Sequence, residues 1–85
     1  MKTFEYTITD DLGIHARPAG ELAKAAKQYD SGITVSANGK TADATRLMML
    51  MALGVKKGMT VRISADGPDE DAAAAAMQTF FSEHL

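Results

Sequence analysis

The chain has 85 residues, 46% hydrophobic and 24% charged, which suits one small soluble core and leaves no room for a second. It has no cysteine, so disulfide frameworks and thiolate metal sites are excluded. Its two histidines, His15 and His84, stand too far apart to suggest zinc, and a net charge of −2 argues against non-specific nucleic-acid binding.

Phe4, Tyr6 and Ile8 alternate with Thr3, Glu5, Thr7 and Thr9, which predicts a strand with one apolar face. A helix is expected from about Ala16 to Lys27, with Ala19, Leu22, Ala23 and Ala26 on one side. Ile33, Val35 and Ala37 return to strand spacing. Asn38-Gly39 is a strong hairpin signal because both residues accept positive φ, and Lys40 to Asp43 forms the return strand. A short methionine-rich helix follows from Thr45 to about Ala52, stopped by Gly54, with the Thr45 hydroxyl as its expected N-cap. Met59, Val61, Ile63 and Ala65 mark a fourth strand. After Asp66-Gly67-Pro68, the acidic Asp69, Glu70 and Asp71 open a last helix, which Met77, Phe80 and Phe81 anchor.

The predicted order is βαββαβα. Strands with one apolar and one polar face call for helices on one side only, an open-faced α+β sandwich over residues 1–85 as a single domain. The longest apolar run, Leu47 to Leu53, is too short to cross a bilayer, and Met1 to Glu5 shows no apolar signal region. A cytoplasmic protein without direct membrane insertion is therefore expected.

The chemistry concentrates in Gly13-Ile14-His15-Ala16-Arg17-Pro18-Ala19. Proline suits the first turn of a helix, where its missing N–H has no intrahelical partner, so His15 falls in the N-cap region. First-turn N–H groups point outward unpaired and carry the positive end of the helix dipole. An anion on the His15 ring would meet the backbone donors of Ala16 and Arg17, and the Arg17 guanidinium could add a charged partner. Imidazole is also a competent nucleophile near neutral pH. Taken alone, a histidine at a helix start is an ordinary polar cap, and a lone Arg17 is a solvated helix residue. The grouping is what points to phosphoryl chemistry.

That heptapeptide resembles the active-site signature of HPr, the histidine-containing phosphocarrier family of the bacterial phosphotransferase system. The resemblance extends to Asn38-Gly39-Lys40, Leu47 to Gly54, Lys57-Gly58 and the run Ile63 to Glu70. It implies four antiparallel strands with three helices on one face. It also implies a phosphoryl group accepted on Nδ1 of His15 from Enzyme I and passed to IIA domains of sugar permeases. The partners supply most of the catalysis, so the chain is a carrier rather than an enzyme. No metal or organic cofactor is implied, and a monomer suffices.

Leu47, Met48, Met49, Leu50 and Met51 occupy five successive helical positions and cannot all face the core. Exposed methionine suits a surface that repacks against several partners. The family docks through this helix and the start of the first, which implies Leu47, Met48 and Met51 with Gly20 nearby. Many relatives in Gram-positive bacteria carry a regulatory serine at the start of this helix. Arg46 stands there instead, so no phosphorylation is expected at that position, and Thr45 is a weak substitute. Lys24 and Lys27 could help attract acidic partners. His84 is expected to be a solvated helix end, and Asp10 and Asp11 to belong to a turn without catalytic duty. Two other readings share the sequence: a nitrogen-related regulatory carrier with a different IIA acceptor, and a non-catalytic module that binds a regulator through the methionine patch.

Overall fold

In the computed structural model, which describes residues 1–85, the predicted order holds. It comprises β1 (Lys2–Thr7), α1 (Ala16–Ala26), β2 (Gly32–Ala37), β3 (Lys40–Asp43), α2 (Leu47–Ala52), β4 (Thr60–Asp66) and α3 (Glu70–His84). The strands form one sheet in the order β1-β4-β2-β3, every neighbouring pair antiparallel. Period-2 alternation sorts the faces. Phe4, Ile63, Val35 and Ala42 line up in register across the sheet on the helical side. Glu5, Arg62, Ser36 and Thr41 form the adjacent row on the open side. The fold is the expected open-faced α+β sandwich, with all three helices on one face.

Leu22, Ile33, Val35, Leu50, Val61, Ile63, Met77 and Phe81 are fully buried between the helices and the sheet. Phe81 receives the ring edges of Phe4 at 6.3 Å and Tyr6 at 5.7 Å, which fastens α3 over the edge strand β1. Alternation in β1 carries one residue past the strand. Ile8 is buried, and its backbone exchanges hydrogen bonds with Met59 and Gly58, both at 2.9 Å. Asn38 and Gly39 turn between β2 and β3 with φ of 55° and 74°, the two positive values a two-residue hairpin needs.

The start of α2 differs from the sequence expectation. The helix begins at Leu47 with Arg46 in the N-cap position, and Thr45 is not the cap. The reason is local. The Asp43 carboxylate accepts both the Thr45 N–H at 2.9 Å and the Thr45 hydroxyl at 2.7 Å, so an Asx-type turn delays the helix. Those bonds, the hydroxyl first, also hold the Asp43 carboxyl below the usual carboxylate range.

Asp69 does comparable work at the other end of the molecule. Although it precedes α3, its carboxylate turns away from that helix to accept the N–H groups of Asp30 and Ser31, each at 2.9 Å, and the Ser31 hydroxyl. The segment between α1 and β2 is thus tied to the start of α3. The Ser31 hydroxyl and the Asp30 N–H keep the Asp69 carboxyl below its ordinary value of 3.8. A carboxyl with a depressed folded-state pKa contributes stability that is present above the unfolded value and lost as pH falls through the folded one. The urea midpoint should therefore drop as the pH is taken below about 4. Asp69→Asn should lower the midpoint at neutral pH and flatten the acid slope. An acid slope as steep in Asp69→Asn as in the unmodified chain would contradict this role.

Candidate functional site

The site is built on a bend held from two sides. Gly13 has φ of 66°, in the left-handed region, and its N–H donates to the Asp10 carbonyl at 3.1 Å. A β-carbon there would lie 2.2 Å from the Val55 carbonyl oxygen and 2.7 Å from Cα of Lys56, so only glycine fits. The next residue, Ile14, is buried and donates its N–H to the same Val55 oxygen at 3.2 Å. On the other side, the Leu85 carbonyl accepts the N–H groups of Thr9 and Asp10 at 2.6 and 2.9 Å and the Thr9 hydroxyl at 3.0 Å. The chain emerges from this clamp at His15.

His15 is the N-cap residue of α1, with an extended backbone (φ −110°, ψ −176°) and a carbonyl that accepts the Ala19 N–H at 3.0 Å. Its ring makes no capping bond and remains open to solvent on one side. Nε2 lies 3.7 Å from Oδ2 of Asp10, the carboxylate that also closes a turn by accepting the Leu12 N–H at 3.0 Å. With Pro18 lacking a donor and the Ala19 N–H engaged, the N–H groups of Ala16 and Arg17 are the two first-turn donors without a backbone partner.

Arg17 is placed differently from the sequence expectation. Its side chain is 87% exposed and runs along α1, with Nε 3.9 Å from Oε1 of Glu21 one turn on, rather than over the His15 ring. It still borders the same cleft, an open hollow of about 330 Å³ walled by Asp10, His15, Arg17, Pro18, Glu21 and His84. His84 is the exposed last residue of α3, as expected, and it also lies in this wall. Asp10 belongs to a turn, as expected, and its carboxylate also faces the ring. Neither could be placed from local pattern, because the end of α3 meets the loop before α1 only in the folded chain, where the Leu85 carbonyl accepts the Thr9 and Asp10 N–H groups.

On α2, Leu50 points into the core while Leu47, Met48, Met49 and Met51 are exposed, Met48 by 75%. This is the split that five consecutive helical positions require. The helix packs beside α1, where Gly20 is half-buried and a β-carbon would meet nothing within 4 Å. Lys27 and Arg46 flank the methionines in a shallow groove with Thr45, Leu47, Met48 and Met49. No cluster of three or more His, Cys, Asp or Glu side chains could hold a metal ion, and no helix is long and apolar enough to cross a membrane.

A histidine seated at a helix N-cap, on an open-faced sandwich, is the arrangement of the histidine phosphocarriers. Comparison with known proteins gives the family. The family described as "PTS HPr component phosphorylation site" matches residues 2–83. The phosphocarrier protein HPr of Mycoplasma capricolum is 44% identical over 78 residues, 92% of this chain and 88% of its own length. That of Vibrio cholerae is 51% identical over 61 residues, 72% of each chain. A solved structure of a mycoplasma histidine-containing phosphocarrier protein superposes with a TM-score of 0.90 at 42% identity, covering 93% of this chain and 90% of its own. The chain belongs to the HPr family of phosphotransferase-system phosphocarriers.

Gly13→Ala tests the clamp. A positive φ costs a non-glycine residue about 1–3 kcal/mol, and the clash with Val55 adds to that. The expected result is a clearly lower urea midpoint together with shifted His15 ring resonances. An unchanged midpoint would mean that the bend is not held as described.

Proposed function

We propose that this chain accepts a phosphoryl group on Nδ1 of His15 from phosphorylated Enzyme I, itself charged from phosphoenolpyruvate, and delivers it to the IIA domain of a sugar permease. The observation that carries the proposal is the seat of His15 at the N-cap of α1, beside the unpartnered N–H groups of Ala16 and Arg17. The Asp10 carboxylate facing Nε2 favours the proton on that nitrogen and leaves the lone pair on Nδ1. In the transfer, that lone pair attacks phosphorus as the bond from phosphorus to Enzyme I breaks. The positive charge the ring gains is balanced by Asp10, and the phosphoryl oxygens are received by the helix N-terminus. Delivery to the IIA domain is the same exchange in reverse roles.

Arg17 completes the anion site by leaving Glu21. An exposed pair of this kind is worth at most about 1 kcal/mol, so the guanidinium swings at small cost toward a group that offers charge-assisted hydrogen bonds. Leu47, Met48 and Met51, with Gly20 left small beside them, form the surface on which Enzyme I and the IIA domain alternate. The chain supplies the nucleophile and its anion site, and the partners complete the catalytic groups. One chain contains every part of this site, so the proposal needs no second copy.

Arg46 bears on the second branch of phosphotransferase control. An arginine offers no hydroxyl to a serine kinase, and the neighbouring Thr45 hydroxyl already donates to Asp43. Arg46 also favours weighing a nitrogen-related IIA domain as the acceptor, which parallel transfer assays with sugar and nitrogen IIA proteins would distinguish.

His15→Ala should take up no phosphate from Enzyme I and phosphoenolpyruvate while keeping its circular-dichroism spectrum; retained phosphate would falsify the assignment. Arg17→Ala should keep the acceptor but slow transfer about tenfold, the value of one charge-assisted hydrogen bond. An unchanged stopped-flow rate would remove Arg17 from the site. Incubation with HPr kinase and ATP should leave the chain unlabelled, and phosphate located on Thr45 by mass spectrometry would contradict that expectation.

A further inference from the structure

One side chain in the wall of the cleft has no part in the transfer described above. His84 stacks on Phe80 one turn earlier, with ring centroids 4.5 Å apart and planes 29° from parallel. Its Nδ1 lies 3.5 Å from Oε2 of Glu21. The other oxygen of that carboxylate, Oε1, lies 3.9 Å from Nε of Arg17. Glu21 is therefore held between bases from two helices, α1 and α3, and all three groups border the hollow that opens at His15.

The charges of that hollow are unbalanced for an anion. Asp10 and Glu21 are carboxylates, and Arg17 is the single permanent cation in the wall. A phosphoryl group brings about two further negative charges. Imidazole is the side chain whose charge ordinarily changes between about pH 5 and pH 8, so His84 can supply a second cation without any partner. Its ring is already held by the stack on Phe80. The charged and titratable groups around it are Glu83 on its own helix, Arg17 and Glu21 on α1, and Asp10, Asp11 and His15 in the loop before α1.

We infer that His84 is a positioning residue for Arg17: its protonated ring holds the Glu21 carboxylate and releases the guanidinium to the phosphoryl group on His15, whereas its neutral ring leaves Glu21 to Arg17. Protonation from solvent places a donor on Nδ1 beside Glu21, turning a loose contact into a charged hydrogen bond. The positive ring then offsets the carboxylate charge that draws Arg17 to Glu21, although the two bases meet different oxygens. The inference rests on the carrier reading, because it is the phosphoryl group that Arg17 is released to meet. Exposed pairs are weak, so the effect on rate is modest, about two- to five-fold.

The test measures phosphorylation by purified Enzyme I and phosphoenolpyruvate between about pH 6 and pH 8. It compares the unmodified chain, His84→Gln, Glu21→Gln and the double variant, each expressed relative to the unmodified chain at the same pH. His84→Gln should be slower by about two- to five-fold at the acid end and equal at the alkaline end. In the Glu21→Gln background it should have no further effect, because Arg17 is then free at every pH. A deficit that is the same across the range, or that persists in full without Glu21, would overturn the inference. A second measurement does not require transfer. In the unphosphorylated protein, the Arg17 Nε–H resonance should move across this pH range, and that movement should be reduced in His84→Gln. Movement unchanged by that substitution overturns the inference, whereas a chain that takes up no phosphate at all counts against the carrier reading instead.

Discussion

The contact between Gly13 and the backbone of Val55 and Lys56 sets the position of everything chemical in this protein. The Val55 carbonyl sits where a β-carbon of residue 13 would be, and it also receives the Ile14 N–H. That double engagement turns the chain sharply before α1 and leaves His15 as the first residue outside the packed loop. The imidazole is thus presented at a helix N-terminus by rigid backbone rather than by its own side-chain bonds. Without the bend, the same residues would still make a helix, but the histidine would not be held at its mouth beside Asp10.

The same contact links the two surfaces a carrier requires. Val55 follows directly on Leu53 and Gly54, where α2 ends, so α2 and the loop that presents His15 share one backbone junction. Leu50 anchors α2 in the core while its neighbours Met48, Met49 and Met51 face outward. In the proposed function, recognition falls to flexible, polarisable side chains on α2, and chemistry to His15 with Arg17 beside it. Such a division lets one small domain meet unrelated partners without disturbing the geometry at His15.

Most of the fold was legible in the sequence because its strands alternate cleanly and its turns carry their own chemistry. Phe4 and Tyr6 against Glu5 and Thr7, and Asn38-Gly39 between β2 and β3, leave few competing topologies. The candidate site was legible for the same reason, since Gly13, His15, Arg17 and Pro18 lie within six residues. What was not legible was which side chains pair with which groups. Asp43 captures Thr45 and moves the start of α2, a contest between a side chain and a helix that propensity does not resolve. His84 and Glu21 meet only because α3 packs back over β1, and Arg17 lies beside Glu21 rather than over His15. Charges in a helix N-terminal site are readable from sequence; which of them are paired before the ligand arrives is not.

The central claim is that His15 is the atom-specific acceptor, its Nδ1 made available by the carboxylate on the opposite nitrogen. The most direct measurement is phosphorus and nitrogen NMR of the uniformly nitrogen-labelled chain after treatment with Enzyme I and phosphoenolpyruvate. The account predicts one phosphoramidate signal, coupled to Nδ1 of His15, with Nε2 of that ring protonated. A signal coupled to Nε2, or a phosphoryl group on His84 or any hydroxyl, would contradict it.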